Sequence, residues 1–384
     1  MKKVFDKIDS LNDEFVNVWE DVCAIESPSD YKEGVDEVGR YFMKLSEKNS
    51  WDIEVFKQEN LGDAICIVMN PEAKKPLVVL SGHMDTVHPV GSFGEPVTWR
   101  EGDLLHGPGA VDCKGGIVAG FLAMQALSEC GFKERPIMML LQGNEEIGSG
   151  LNNKESIKYM CKKAEKAAAF LNLEGYGANS RGKACLKRKG IAGFLFTVTG
   201  IEVHASACAK GGASAILEAA HKIIELEKVK NDDGLTFNCG VIKGGTVSNT
   251  VSGKCEFKLD VRFSTEEEYK EALKIVERVK NTVYVEGCKC EVTQTNLRTA
   301  MELNDRNINL LNKMNEIFEK NGFSPLEMCS RAGGSDAADV SACGIPVVDN
   351  IGTEGGNIHS KGEFGVISSL SESAKRLACV IAGL

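Results

Sequence analysis

Leu77-Val78-Val79-Leu80-Ser81-Gly82-His83-Met84-Asp85-Thr86 is the stretch on which the fold turns. Its four leading apolar residues predict a buried strand, and the strand runs straight into a loop that presents a histidine and a carboxylate. The same arrangement recurs along the chain. Ile137–Leu141 leads to Gly143-Asn144-Glu145-Glu146, Ala168–Leu173 to Glu174-Gly175, and Val347–Ile351 to a glycine-rich loop with Ile358-His359-Ser360. A fifth loop, Gly107-Pro108-Gly109-Ala110-Val111-Asp112-Cys113-Lys114-Gly115-Gly116, ends where a helix is expected to begin.

Outward from these loops the rhythm is that of strands alternating with helices. Val4, Ile8, Leu11, Phe15, Val18 and Val22 recur at helical spacing until Ser27-Pro28, and Val35, Val38, Tyr41, Phe42 and Leu45 repeat the pattern. Further helices are expected over 116–127 and 154–166, with strands over 65–69, 77–80, 137–141 and 168–171. This alternation predicts an α/β fold with a mostly parallel central sheet flanked by helices.

From Lys187 the texture changes. Strands over 194–199 and 290–295, two more within 241–263 around Gly244-Gly245, and helices over 213–226 and 266–279 form an α+β block of its own. A helix over 308–319, a strand over 347–350 and a last helix over 370–382 return to the first texture. The expected organisation is a catalytic domain made of 1–187 and 299–384, interrupted by an inserted two-layer domain over 188–298.

Composition narrows the function classes. The 384 residues suggest two or three domains, and 43% hydrophobic with 26% charged residues excludes extended disorder. Forty-five basic against fifty-five acidic residues, with no dense Lys/Arg block, argue against nucleic acid and anionic membrane as partners. The N-terminal MKKVFDKIDSLNDEF has charges where a secretory leader has an apolar region, and no apolar run approaches membrane-spanning length. The fourteen cysteines form no CxxC pair, so reduced thiols in the cytoplasm are expected.

In open α/β sheets, ligands collect at the carboxyl ends of the strands. Two histidines and several carboxylates gathered there make a mixed nitrogen and oxygen site, which suits Zn²⁺, Co²⁺ or Mn²⁺. Each piece also has an ordinary reading: a turn histidine for His83, helix-dipole acids for Glu145-Glu146, a helix cap for Asp112, a turn residue for Glu174. Order, spacing and common location favour the site. No GxGxxG or GxxxxGK[ST] loop supports nucleotide binding, and Gly333-Gly334-Ser335-Asp336-Ala337 lacks the closing glycine of a serine nucleophile elbow.

HMDTV, GPGAVDCKGG, NEEIGS, LEG and HSKGEF, in this order, resemble the dinuclear zinc peptidase family. That family includes glutamate carboxypeptidase, acetylornithine deacetylase, succinyl-diaminopimelate desuccinylase and aminoacylase, and the glutamate carboxypeptidase branch is the one most resembled. TGIEVHASACAKGGASAI and VIKGGTVSNTVSGKCEFKLDVRF resemble its dimerisation domain. The resemblance implies a cytoplasmic homodimer with two divalent ions, Zn²⁺ foremost. His83, Asp112 and Glu174 would hold one ion, and Asp112, Glu146 and His359 the other. Asp85 would fix the His83 ring, and Glu145 would be the base that activates a metal-bridging water and returns its proton to the leaving amine. Three ligand carboxylates against two divalent ions leave about one positive charge to stabilise a hydroxide. Adjacent strand residues point to opposite sides, which would let Glu145 and Glu146 divide these tasks.

The resemblance further implies that His204 reaches the partner subunit's active site to stabilise the oxyanion. It makes Asn249 and Arg262 receptors for a substrate α-carboxylate, and Gly334 a lining residue. An ion pair with Asp260 is the alternative for Arg262. The implied substrate is a peptide or N-acyl amino acid. Deacylation of a biosynthetic N-acyl amino acid and aminopeptidase activity are the rival reactions, and a non-catalytic binding protein that kept the fold is the rival class. Asn144 stands where the family often has Asp, Ser206 where it often has Gly and Ser252 where it often has Pro. His88, His106 and His221 read as structural.

Overall fold

The computed structural model describes residues 1–149, 154–231 and 234–384. They form two compact units, one of Met1–Leu186, Leu303–Ser330 and Asp339–Leu384, the other of Lys187–Glu302 and Arg331–Ala338. The expected boundaries left Arg331–Ala338, Gly334 included, in the catalytic domain; it clusters instead with the second unit. Among its ties to that unit are the Lys189 N–H to the Arg331 carbonyl at 3.2 Å and a side-chain link that no periodicity reveals. The Arg188 guanidinium donates from Nη1 to the carbonyls of Gly333 and Gly334, each at 3.1 Å.

In the first unit a six-stranded sheet runs Asp52–Phe56, Ala64–Met69, Ile137–Gln142, Val78–His83, Ala169–Asn172, Val347–Val348. The first two pairings are antiparallel and the last three parallel. The inner strands are buried almost throughout, which is why they read as unbroken apolar runs. The helix Gly115–Glu129 packs between Lys2–Ala24 and Ser369–Gly383 and is the core of this unit. Its glycines allow the close approach: a Cβ on Gly116 would lie 1.8 Å from the Leu173 carbonyl oxygen. Contrary to the sequence reading, Ala110–Glu129 is long and apolar enough to cross a membrane, but 94% of its apolar window is buried inside the fold, as a core helix requires.

A second sheet in this unit was not expected, because its strands are only two or three residues long. It runs Trp99–Glu101, Leu104–His106, Phe364–Val366, Glu354–Gly356, Tyr176–Gly177. Phe364–Val366 pairs antiparallel with Leu104–His106, and Glu354–Gly356 runs parallel to Tyr176–Gly177. The loop that carries His359 is therefore fixed at both ends, on one side beside the strand that follows Glu174.

The second unit is a four-stranded antiparallel sheet, ordered Thr236–Gly244, Lys254–Phe263, Gly190–Thr199, Lys289–Arg298. Phe196 and Phe257 face each other in register and stack at 4.5 Å. The helices Ala215–Leu226 and Glu266–Asn281 cover one face. The helix over Glu266–Asn281 starts at Thr265, whose hydroxyl accepts the Glu268 N–H at 3.1 Å. Its far end is closed by fully buried Lys222, whose Nζ reaches the carbonyls of Val279 at 2.7 Å and Thr282 at 2.7 Å, and Glu218 Oε1 at 3.0 Å.

Candidate metal centre

Val78–His83 ends at the carboxyl edge of the parallel region, so His83 is the last residue of a central strand. Its ring Nδ1 lies 2.9 Å from the Asp85 backbone carbonyl, which leaves Nε2 facing Asp112 Oδ1 at 3.1 Å and Glu174 Oε1 at 3.6 Å. Asp112 sits in the turn that opens the core helix, where the Asp112–Cys113 peptide is cis. Its other oxygen, Oδ2, lies 3.2 Å from His359 Nε2. Glu146 Oε2 completes that side at 3.3 Å from the same nitrogen. One carboxylate thus stands between two imidazoles, each with a further glutamate beside it.

Among the described residues, two donor sets have their ligand atoms close enough for a metal ion: His83, Asp112 and Glu146, and His83, Glu145 and Glu174. The charges fit a cation. Asp112 is held well below the usual carboxylate range, because hydrogen bonds from His359 and His83 outweigh the cost of its burial. His359 is raised to about 10 by its hydrogen bonds to Asp112 and Glu146. His83 is also raised: burial opposes its charge, but the Cys113 sulfur, Asp112 and Asp85 outweigh it. Burial, reinforced by Asp112, pushes Glu146 up to about 7 against the opposing hydrogen bond from His359. His359, His83 and Glu146 retain protons that offset a buried excess of negative charge, an excess that divalent ions would neutralise directly.

Asp85 has a larger part than orienting one ring. It is fully buried, its carboxylate lies 3.5 Å from His83 Nδ1, and its two oxygens accept the backbone N–H groups of Glu145 at 3.0 Å and Glu146 at 3.1 Å. The Ser29 hydroxyl donates to Oδ2 at 2.6 Å. Glu145 and Glu146 do not lie on a strand, which corrects the alternation expected for them: Ile137–Gln142 has ended, and the Gly148 N–H closes a turn on the Glu145 carbonyl at 2.8 Å. Asn144 is turned into the fold, where its Oδ1 accepts from the hydroxyl of Ser156 at 3.2 Å.

A model of the peptidase family M20/M25/M40 matches residues 79–383. The chain belongs to this family. Carboxypeptidase G2 of a Pseudomonas species (strain RS-16) is 26% identical over 362 residues, covering 92% of this chain and 85% of that one. Succinyl-diaminopimelate desuccinylase of Hahella chejuensis is 28% identical over 207 residues, covering 50% and 54% of the two chains. Among solved structures, a tripeptidase from Staphylococcus aureus superposes with TM-score 0.81 at 22% identity, covering 96% of this chain and 97% of that one. Aminopeptidase PepT from Bacillus cereus gives 0.79 at 21%, covering 96% and 98%. The protein is an enzyme of the metallopeptidase and amidohydrolase class.

Family membership makes the supporting residues worth tracing, and two were missed by the sequence reading. Buried Glu363 accepts the N–H groups of Val111 at 3.0 Å and Asp112 at 3.1 Å through Oε1, while its Oε2 meets His88 Nε2 at 2.7 Å. Ser29, under Asp85, is the other. HSKGEF entered the sequence reading as a family motif and Ser27-Pro28 as the end of a helical pattern, and neither pointed to Glu363 or Ser29 as a support.

The remaining residues given roles at the site, His204, Asn249, Arg262 and Gly334, lie in the second unit. His204 is exposed; its Nδ1 meets the Ser206 hydroxyl at 2.8 Å, and it is bridged to Thr250, next to Asn249. Arg262 does not join them. It pairs in register with Ile191, at the opposite end of its strand from Lys254 and Thr199, and its guanidinium grips Asp260 at 2.6 and 3.1 Å. Gly334 packs on Arg298, whose Cδ would lie 2.5 Å from an added Cβ.

Proposed function

We propose that the centre holds two divalent ions, Zn²⁺ foremost with Co²⁺ or Mn²⁺ as substitutes, and cleaves an amide in a peptide or N-acyl amino acid with a free α-carboxylate. His83, Asp112 and Glu174 hold one ion; Asp112, Glu146 and His359 hold the other. The observation that carries this reading is Asp112, whose two oxygens face different imidazoles. Divalent ions in such a site lower the pKa of a shared water and polarise the scissile carbonyl.

The chain supplies the rest. Glu145 takes a proton from the attacking water and returns it to the leaving amine, and Asp85 fixes the turn on which it rides. His204 donates to the oxyanion of the other protomer. Asn249 and Arg262 receive the carboxylate, and Gly334 lines the site. Arg262 lies near the far end of the Lys254–Phe263 strand and Asn249 in the loop before its start, and in this reading the two come to one ligand from different protomers. A homodimer also accounts for exposed Val241 and Ile242 on the edge strand Thr236–Gly244. The cytoplasm, a reducing compartment, fits fourteen cysteines that all stand as thiols.

Hydrolysis after Zn²⁺ reconstitution tests this, with N-acyl amino acids and dipeptides whose α-carboxylate is free or amidated. Turnover that requires the free carboxylate is expected. Turnover that requires a free amine and ignores the carboxylate overturns the substrate assignment. A protein that recruits no metal overturns the centre itself.

A further inference from the structure

Cys161 and Cys343 are 182 residues apart in sequence, yet their sulfurs lie 2.9 Å from each other. Cys161 is in the last turn of the helix Glu155–Lys163. Cys343 directly follows the helix Asp336–Ala342, and its N–H is held by the carbonyls of Asp339 at 3.2 Å and Val340 at 3.1 Å. Gly344, with φ of +87°, then turns the chain away. A second tie joins the same two helices, since Lys154 Nζ meets Asp339 Oδ1 at 2.8 Å. Both thiols therefore stand on held backbone, and about 1 Å of approach separates their sulfurs from bonding distance.

We propose that Cys161 and Cys343 are a redox modification site that closes into a reversible disulfide when the protein meets a peroxide. Exposed Cys343 is the residue a peroxide reaches, and half-buried Cys161 is the one that resolves it. The Cys343 thiolate attacks one peroxide oxygen; the O–O bond breaks, and the other oxygen leaves as hydroxide and takes up a proton. The Cys161 sulfur then displaces the oxygen from the Cys343 sulfenic acid, forming the S–S bond and releasing a second water. Two thiols are oxidised, one peroxide is reduced to two waters, and a small dithiol reverses the change. The bond pins the end of a helix whose first turn carries Ser156, the hydroxyl donor to Asn144 beside Glu145. The closed form therefore resists unfolding more than the open one.

The test uses the reduced full chain, one equivalent of hydrogen peroxide, alkylation of remaining thiols and peptide mapping. A Cys161–Cys343 linked peptide is expected, reversed by dithiothreitol and absent from Cys343→Ser. Peroxide should raise the Tm of the wild type by about 5 °C and leave that of Cys343→Ser unchanged. Exposed Cys208 supplies a comparison for simple accessibility. Recovery of Cys343 as a sulfinic acid with Cys161 alkylated overturns the proposal, as does a link from Cys343 to any other cysteine.

Discussion

The carboxylate of Asp85 accepts the backbone N–H of Glu145 at 3.0 Å, with no water-exposed atom on Asp85 itself. A buried charge with two backbone donors and one hydroxyl on it is held down in pKa: burial opposes the charge, but His83, Ser29 and the Glu146 N–H outweigh it. Asp85→Asn keeps the shape and removes that charge. Activity and metal affinity are expected to fall 10- to 100-fold, roughly, as for other residues that support metal ligands. Steady-state kinetics with metal analysis check this, and wild-type values for both refute a positioning role.

Glu145→Gln separates proton transfer from metal binding. Its turnover should drop by about 10² to 10⁴, the range for loss of a general base, while the metal content after reconstitution stays that of the wild type. A variant that loses its metal in parallel with its activity assigns Glu145 to coordination instead.

Metal binding should release protons in a pH-dependent number. In the metal-free protein His359 holds its proton up to about pH 10, and Glu146 holds one up to about pH 7. Binding displaces the Glu146 proton at pH 6 but finds it already gone at pH 8. Calorimetry in buffers of different ionisation enthalpy should therefore count about one more proton at pH 6. The sign for stability follows from His359, whose pKa is raised on folding. Its pairing with Asp112 stabilises the metal-free protein fully below its unfolded value of about 6.5 and is lost as pH rises toward 10.

Arg262 and Asp260 provide a competition experiment. If Arg262 receives the substrate carboxylate, Asp260→Ala frees the guanidinium and lowers KM, whereas Arg262→Ala raises KM by roughly tenfold or more. Equal and small effects from both variants mark a structural ion pair alone.

Lys222 offers a test confined to stability. Lys222→Ala leaves Glu218 buried without its cation and opens the end of a helix. A loss of roughly 3–5 kcal/mol is expected in urea unfolding. A loss under 1 kcal/mol would show that the ammonium adds nothing beyond its stem.

What could be read from the sequence was whatever depends on local rhythm. His83, Glu174 and His359 follow apolar runs, and an apolar run buried on both faces announces an inner strand whether or not its partners are known. Contacts between distant side chains left no such trace. Nothing near Glu363 points to Asp112, 251 residues earlier, and nothing near Asp85 says that its oxygens hold the turn at Glu145. The strands of the second sheet are too short to have a period, so the sheet that seats His359 was invisible. The grouping of Arg331–Ala338 with the second unit left no trace for the same reason, since it comes with long-range ties such as those from Arg188 and Lys189.

The chain order of the first unit has a consequence for synthesis. Its sheet is finished by Val347–Val348, and both His359 and Glu363 come after the whole of the other unit has been made. A ribosome-bound chain can fold the earlier strands and still lack one imidazole and the anchor of Asp112, because domains form in the order in which they emerge. If His359 holds an ion as proposed, the centre is completed only after the other unit has been made. A chain cut short of His359 would then carry the earlier strands without the second imidazole of the proposed centre.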